Sequence, residues 1–284
     1  MGYDSRCRGP QDLSGLKQTM PLMAITREVS STINNCELSF HARRPIDVVK
    51  AMVQHKAYQD CLAELGVVIV SLPAEPELPD AVFVEDAAVV VDEVAVISIM
   101  GAPSRRPEAG SLASALARYR PIKFLREPAT LDGGDVLRVG RRVFAGLSRR
   151  TNRDGIAQLN DLLRAHDYQV QVVEVRGCLH LKSACSCIGN GTLLVNRSWF
   201  DAENLRGFKL IDVPEEEPAA ANALLIKDVV IIPASFPKTS ALLEQRGFRV
   251  RTIDLSELQK AEAGVTCTSL IFNDQAMAAC SRRA

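Results

Sequence analysis

The sequence predicts an α/β fold built from one recurring unit and closed into a propeller, and three observations carry that expectation. A polar signature, followed by a short apolar strand, a small turn and often a second strand, recurs at Asp80, Asp132, His180, Asn222 and Cys267, every 42 to 52 residues. Helical stretches and β-rich runs alternate between these signatures. The signatures also set carboxylates, a histidine and a cysteine among apolar residues, which makes sense only if they meet in one place. Alternation alone would fit an open doubly wound sheet equally well; the convergence decides for the propeller.

Each element follows in turn. Residues 1–20 are expected to be a mobile polar leader carrying Asp4, Arg6, Arg8 and Asp12, and 21–284 a single domain, because no Gly/Ser tract or low-complexity block divides it. Pro45 to Leu65 is expected to be helical, with Ile46, Val49, Val53 and Ala57 near one face and a stop at Gly66. A β-rich run, Val67 to Leu72, comes next, then the Asp80 signature with strand residues Val89 to Ile97, and the Asp132 signature with Val136 to Ala145. Asn152 to His166 is a second helix, with Asn152 as N-cap and Ile156, Leu159 and Leu163 on one face. After the run Val170 to Val175, three signatures remain: His180 before Thr192 to Val195, Asn222 before Leu224 to Pro233, and Cys267 before Ser269 to Phe272.

Composition narrows the function classes. Lys plus Arg and Asp plus Glu are both 34, so the chain lacks the basic excess of a general nucleic-acid binder. The longest apolar run, Ala87 to Val91, is far short of a membrane span. The first residues hold no apolar stretch of a secretory signal. Eight cysteines without such a signal read as reduced thiols, which points to the cytoplasm.

The chemistry lies in the signatures. Leu78-Pro79-Asp80-Ala81-Val82-Phe83-Val84-Glu85-Asp86 places three carboxylates in a stretch that otherwise reads as buried. Thr130-Leu131-Asp132-Gly133-Gly134-Asp135 adds two more around a glycine pair that permits close backbone approach. Read singly, each motif is ordinary: His180 between leucines is a core histidine, Cys267 before a strand a small buried hydrophobe, and Asp-Gly-Gly-Asp a turn. Together they describe a reaction. Clustered carboxylates need a cation, and a guanidinium fits them by bidentate hydrogen bonding. Cysteine with histidine makes a nucleophile and acid/base pair, and a carboxylate near the histidine fixes its tautomer. The combination points to substitution at a guanidino carbon. The Arg105-Arg106 and Arg149-Arg150 pairs offer groups for the carboxylate of an amino-acid substrate.

Six motifs in order, D-A-V-F-V-E-D at Asp80 to Asp86, Gly101 to Arg106, T-L-D-G-G-D at Thr130 to Asp135, Gly146 to Asn152, Leu179 to Lys182, and Thr266-Cys267, resemble the dimethylarginine dimethylaminohydrolase family of the guanidino-group-modifying (pentein) superfamily. The resemblance runs from about Arg27 to Phe272. It implies a five-bladed α/β propeller of pseudo-fivefold ββαβ repeats. It also implies hydrolysis of asymmetric dimethylarginine and monomethylarginine to citrulline and dimethylamine or methylamine, through a covalent cysteine thiouronium. By the same resemblance Cys267 is the nucleophile, His180 the general acid/base and Asp132 its orienting partner. Asp80 and Asp86 bind the guanidinium, Glu85 contacts the α-amino end, partly through its backbone, and Arg105 and Arg150 bind the α-carboxylate. Leu38 corresponds to a lid leucine, and Ala261 to a main-chain carbonyl contact.

No cofactor or metal is implied. Cys178, His180, Cys185 and Cys187 are zinc-ligand types, but their spacing is not that of the usual ligand loops. The expected partner is a small methylated arginine, with the chain a monomer or homodimer. Rivals within the superfamily are an arginine deiminase-like hydrolase and an amidinotransferase; the rival of another class is a non-catalytic propeller binding module. The stretch Gly189 to Leu210 is poorly matched to the family.

Overall fold

The computed structural model describes residues 20–274. The leader expected over 1–20 lies, Met20 excepted, outside the described residues. In chain order the elements are β1 (Leu22–Arg27), α1 (Val48–Glu64) and β2 (Val68–Leu72), then β3 (Ala88–Val90), β4 (Ala95–Ile97), α2 (Ala109–Leu116) and β5 (Ile122–Phe124). A third unit has β6 (Val136–Val139), β7 (Arg142–Leu147), α3 (Arg153–Arg164) and β8 (Gln169–Glu174). A fourth has α4 (Leu181–Ala184), β9 (Cys185–Gly189), β10 (Thr192–Val195) and β11 (Lys209–Asp212). The last has β12 (Leu224–Ile226), β13 (Val229–Pro233), α5 (Pro237–Gln245) and β14 (Arg249–Ile253), followed by α6 (Ser256–Gln259) and β15 (Leu270–Asn273).

These strands form five separate three-stranded sheets: β15-β1-β2, β3-β4-β5, β6-β7-β8, β9-β10-β11 and β12-β13-β14. In each, the first two strands are antiparallel and the third returns parallel after a crossover. The first sheet is completed from the far end of the chain, with Leu270 opposite Ile25 and Phe272 opposite Met23. That closure, and an apolar cluster at each junction between neighbouring sheets, separates a ring from an open sheet. Met23, Ile97, Leu116 and Phe272 pack between the first two sheets, and Ala24, Leu62, Ile231 and Val265 between the last and the first. Val96 with Val143, Phe144 with Leu193, and Leu194 with Val230 fill the other three junctions. The pseudo-fivefold α/β propeller expected from the sequence is the observed fold.

Two details differ from the sequence reading. Of the face expected for the first helix, Ile46, just ahead of α1, is buried, but Val49 and Val53 are 72% and 64% exposed and Ala57 is exposed too. The buried face carries Ala51, Tyr58 and Leu62 together with Gln54, His55 and Gln59. Polar residues hold that face because partners await them. Gln59 Nε2 donates to Thr26 and Ser71 hydroxyls, and the Tyr58 and Ser269 hydroxyls bond at 2.7 Å. The fourth unit has no α-helix between β10 and β11. Asn196 and Asp201 accept from the amides of Ser198 and Glu203, and these local bonds leave two short 3-10 turns in its place. By contrast α3 starts as expected, its Asn152 accepting from Gly155 N at 2.7 Å, with Ile156, Leu159 and Leu163 buried.

Candidate active site

Every signature stands immediately before the first strand of a sheet. Glu85 and Asp86 lie in a 3-10 turn ahead of β3, and Asp132 caps the turn Gly133–Asp135 ahead of β6. His180 precedes α4 and β9, Asn222 precedes β12, and Cys267 precedes β15. These first strands surround the axis: Ala88 to Val90, Val136 to Arg138, Ser186, Cys187, Leu224, Leu270 and Ile271 line one axial cavity of about 270 Å³. Third strands such as β2 and β5 lie toward solvent. Residues 42 to 52 apart in sequence therefore meet at one end of the axis.

There Asp80, Asp86, Arg105, Arg150, His180, Ala261 and Cys267 line a cleft of about 20 Å³, together with Glu37, Phe83, Leu179, Glu262 and Ala263. So small a volume holds little more than a water-sized sphere. The segment around Leu38 closes over it: Glu37 N donates to Asp80 at 3.0 Å and Arg150 Nη2 to the Ser39 hydroxyl at 3.3 Å. Leu38 itself packs against the core cluster at the junction of the last and first sheets.

His180 Nε2 is 3.0 Å from Asp132 Oδ2, and its Nδ1 lies 3.7 Å from Asp86 Oδ1. Asp132 is held in turn by Gly101 N at 2.8 Å. Burial works against a charged imidazole, but Asp86 and the bond to Asp132 outweigh it, and His180 is raised to about 9. Burial likewise pushes Asp86 up, yet His180 and Arg105 hold it well below the ordinary carboxylate range. Gly134 makes the pairing possible, because a Cβ there would sit 2.5 Å from His180 Nδ1 and 2.6 Å from Asp86 Oδ1. Asp135, fully buried, accepts from Ser148, Thr151 and Leu181 N, fixing the backbone just after His180.

Cys267 is half-buried, and its Sγ accepts from Gly264 N at 3.2 Å. Burial first, then the charges of Glu85 and Asp86, push the thiol up to about 12. Asn222 shapes its turn, accepting from Thr266 N at 3.1 Å and donating to Thr266 Oγ1 and to the Lys182 carbonyl. Beneath it Glu85 bonds Lys182 Nζ at 2.6 Å and Thr266 Oγ1 at 2.7 Å.

Two expected roles look different against this geometry. The Glu85 carboxylate faces Lys182, Thr266 and the axial cavity, and Glu85 does not line the cleft; its N–H donates to the Cys267 carbonyl at 3.2 Å. Arg105 lines the cleft, but its fork grips Glu108 at 2.9 and 3.0 Å, Asp86 at 2.6 Å and the carbonyls of Asp80 and Phe83. Among the described residues the Arg150 guanidinium hydrogen-bonds Asp132 at 3.5 Å and Ser39 at 3.3 Å.

Reasoning from sequence passed over Lys182, Thr266, Glu108 and Glu262. Lys182 and Thr266 stood inside the quoted motifs, and Glu108 one helical turn after Arg105. As to metals, the described residues gather Asp86, Asp132 and His180, whose donor atoms lie within 4.8 Å of one another. Cys178 instead bonds the His180 carbonyl at 3.3 Å.

Residues 21–272 match the family model for N,N dimethylarginine dimethylhydrolase, eukaryotic. The N(G),N(G)-dimethylarginine dimethylaminohydrolase of Pseudomonas aeruginosa is 35% identical over 82% of this chain and 92% of its own length. That of Streptomyces coelicolor is also 35% identical, over 87% and 95%. The solved structure of a cysteine-to-serine variant of the Pseudomonas aeruginosa enzyme, complexed with citrulline, superposes with a TM-score of 0.85. It is 32% identical and spans 89% of this chain and 100% of that one. With its signatures gathered at one end of the propeller axis and its sequence matched almost throughout, the chain belongs to the dimethylarginine dimethylaminohydrolase family.

Proposed function

We propose that the chain hydrolyses Nω-methylated L-arginines, asymmetric dimethylarginine and monomethylarginine, to L-citrulline and dimethylamine or methylamine. The carrying observation is one cleft in which a cysteine faces two aspartates and a histidine bonded to a third. The catalytic unit in this reading is one domain over 21–284, and its free thiols suit the cytoplasm. No helix among the described residues is long and apolar enough to cross a membrane.

The guanidinium is resonance-stabilised and cationic, so water attacks it very slowly. Asp80 and Asp86 hold it by charge-assisted hydrogen bonds and orient its central carbon toward Cys267. Its positive charge offsets the carboxylates that keep the thiol protonated, so the thiol gives up its proton to solvent as the substrate settles. The thiolate adds to the central carbon. His180, protonated at neutral pH, hands its proton to the departing nitrogen, so a neutral amine leaves rather than an amide anion. The carbon–nitrogen bond breaks and an S-alkylthiouronium remains on Cys267. Now neutral, His180 takes a proton from water as that water adds to the same carbon. The adduct expels the thiolate and its hydroxyl proton passes to solvent, which leaves the ureido group of citrulline.

The test is citrulline release from asymmetric dimethylarginine, with Cys267→Ser and plain arginine in parallel. Citrulline that vanishes in Cys267→Ser and is weak from arginine is the expected result. Ammonia from arginine, with nothing from dimethylarginine, would move the chain to the deiminase reading, and silence with both would revive a binding module.

A further inference from the structure

Glu108 is buried and ends the 3-10 turn Pro103–Glu108, three residues after Arg105. It stands just ahead of α2, yet its side chain makes no capping bond to that helix, nor does Glu108 line the cleft. Both of its carboxylate oxygens go to Arg105 instead, Oε1 accepting from Nε at 3.0 Å and Oε2 from Nη2 at 2.9 Å, and among the described residues they accept from nothing else. Two parallel bonds fix the angle of a guanidinium as well as its place. With that edge held, Nη1 reaches Asp86 Oδ2 at 2.6 Å, and Nη2 also reaches the carbonyls of Asp80 and Phe83. The other Asp86 oxygen, Oδ1, accepts from Gly134 N at 3.1 Å and lies 3.7 Å from His180 Nδ1. A buried carboxylate outside the cleft thus serves to orient one arginine, and that arginine grips one aspartate inside it.

We propose that Glu108 is a positioning residue for this reaction: it locks the Arg105 fork, and the locked fork holds Asp86 in register with the substrate guanidinium and His180. This rests on the hydrolysis proposed above. An arginine side chain is long and flexible, and a single bond to Asp86 would leave its guanidinium free to pivot and the aspartate free to follow. As the guanidino carbon turns tetrahedral its nitrogens move, and an acceptor already fixed for that geometry stabilises the transition state without reordering. Loss of Glu108 therefore acts at the reacting end and shows in kcat, whereas a role confined to the far end of the substrate would show in KM. Burial raises Glu108 to about 7 against the pull of Arg105, with Asp80 and Asp86 adding to the rise, so the lock is charged at pH 8.

The test is kinetics at pH 8 on asymmetric dimethylarginine with Glu108→Gln, Arg105→Lys and the double variant. The amide has the size of the carboxylate but turns a donor toward one nitrogen of the fork, and a lysine has no fork to lock. Glu108→Gln should lower kcat at least about 30-fold and leave KM within about threefold of the wild type. In the Arg105→Lys background the same substitution should lower kcat by less than about threefold more. An unimpaired kcat, a loss confined to KM, or losses that multiply independently would overturn the proposal. A second readout needs no turnover: chloroacetamidine and neutral chloroacetamide share one shape, and only the first brings a cation to Asp86. Glu108→Gln should slow alkylation of Cys267 by chloroacetamidine at least about tenfold, and by chloroacetamide less than about threefold. Equal slowing by both would leave Glu108 a structural residue and sink the proposal. Should thermal unfolding find Glu108→Gln unfolded, Glu108→Asp takes its place, since a side chain one methylene shorter cannot grip the fork from the same backbone; the same outcomes decide. If the wild type released no citrulline the reaction reading would fall, while the ratio of the two labels would still decide for or against the lock.

Discussion

The thiol of Cys267 makes the most demanding prediction, because the structure places it against the chemistry it must perform. Burial and the charges of Glu85 and Asp86 raise it from 9.0 to about 12. At pH 8 a thiol of the ordinary value is about one-tenth ionised, and one at 12 about one part in ten thousand, a thousandfold difference in thiolate. The more basic thiolate is intrinsically the better nucleophile; a Brønsted slope of about 0.4–0.5 returns roughly 15- to 30-fold over three units. The net expectation is that iodoacetamide alkylates Cys267 about 30- to 70-fold more slowly than an exposed cysteine at pH 8. The logarithm of the rate should climb with unit slope to at least pH 10. The assay is quantitative mass spectrometry of the Cys267 peptide after timed labelling, which separates it from half-buried Cys187, with Cys267→Ser as the blank. A small amidinium-bearing electrophile, carrying its own positive charge into the cleft, should escape the penalty and label fastest near neutrality. A plateau in the iodoacetamide rate below pH 8 would refute the reasoning, since it would mean a thiolate formed without a cation.

Three further expectations follow from the same geometry. Gly134→Ala would drive a methyl to within 2.6 Å of both His180 Nδ1 and Asp86 Oδ1; a shift of about 1 Å in that pair should lower kcat roughly 100-fold, and unimpaired turnover would contradict the packing described. Lys182→Met leaves the buried Glu85 carboxylate with Thr266 alone, so denaturant unfolding should show a loss of about 3–5 kcal/mol, largely restored by adding Glu85→Gln; a loss below about 1 kcal/mol would speak against the network. His180 is raised in the folded chain from 6.5 to about 9, so the charged imidazole stabilises the fold fully below about pH 6.5 and that contribution fades as the pH rises through 9. It amounts to about 3 kcal/mol, and denaturant midpoints at pH 6 and pH 10, against His180→Asn, would expose it as a difference that the variant lacks.

The repeat was legible because each polar signature precedes a strand lining the axis, where burial keeps apolar residues and function keeps the exceptions. Closure was legible less directly: nothing local in Ser269 to Phe272 says that this strand pairs with Leu22–Arg27. The face of α1 was misread because periodicity counts apolar residues, and this helix buries Gln54, Gln59 and Tyr58 against hydroxyls supplied from distant elements. Motif reading gave Glu85 a place at the ligand, but the direction of its carboxylate depends on Lys182, 97 residues away. Glu262 could not be found at all. Its position depends on a left-handed backbone and on amides more than 220 residues distant, and neither leaves a mark in the neighbouring sequence.

The carboxylates and arginines of the cleft also explain why its nucleophile should wait for the ligand. Of the two arginines expected at the α-carboxylate, Arg105 is engaged within the protein, its fork closed on Glu108 and Asp86. That grip fixes the aspartate beside His180. Among the described residues Arg150 makes long hydrogen bonds, at 3.3 and 3.5 Å, and so has donors to give the incoming carboxylate that the proposed reaction requires. Among the described residues the Asp80 carboxylate accepts from the Glu37 amide and from no guanidinium, and burial pushes it up from the ordinary range against the charges of Arg105 and Arg150. In the reaction proposed above, the cation that Asp80 lacks and the cation that would ionise Cys267 are the same one, the guanidinium of the substrate. Binding and activation are then a single electrostatic event, and a neutral molecule of the same shape would fill the cleft without producing a nucleophile.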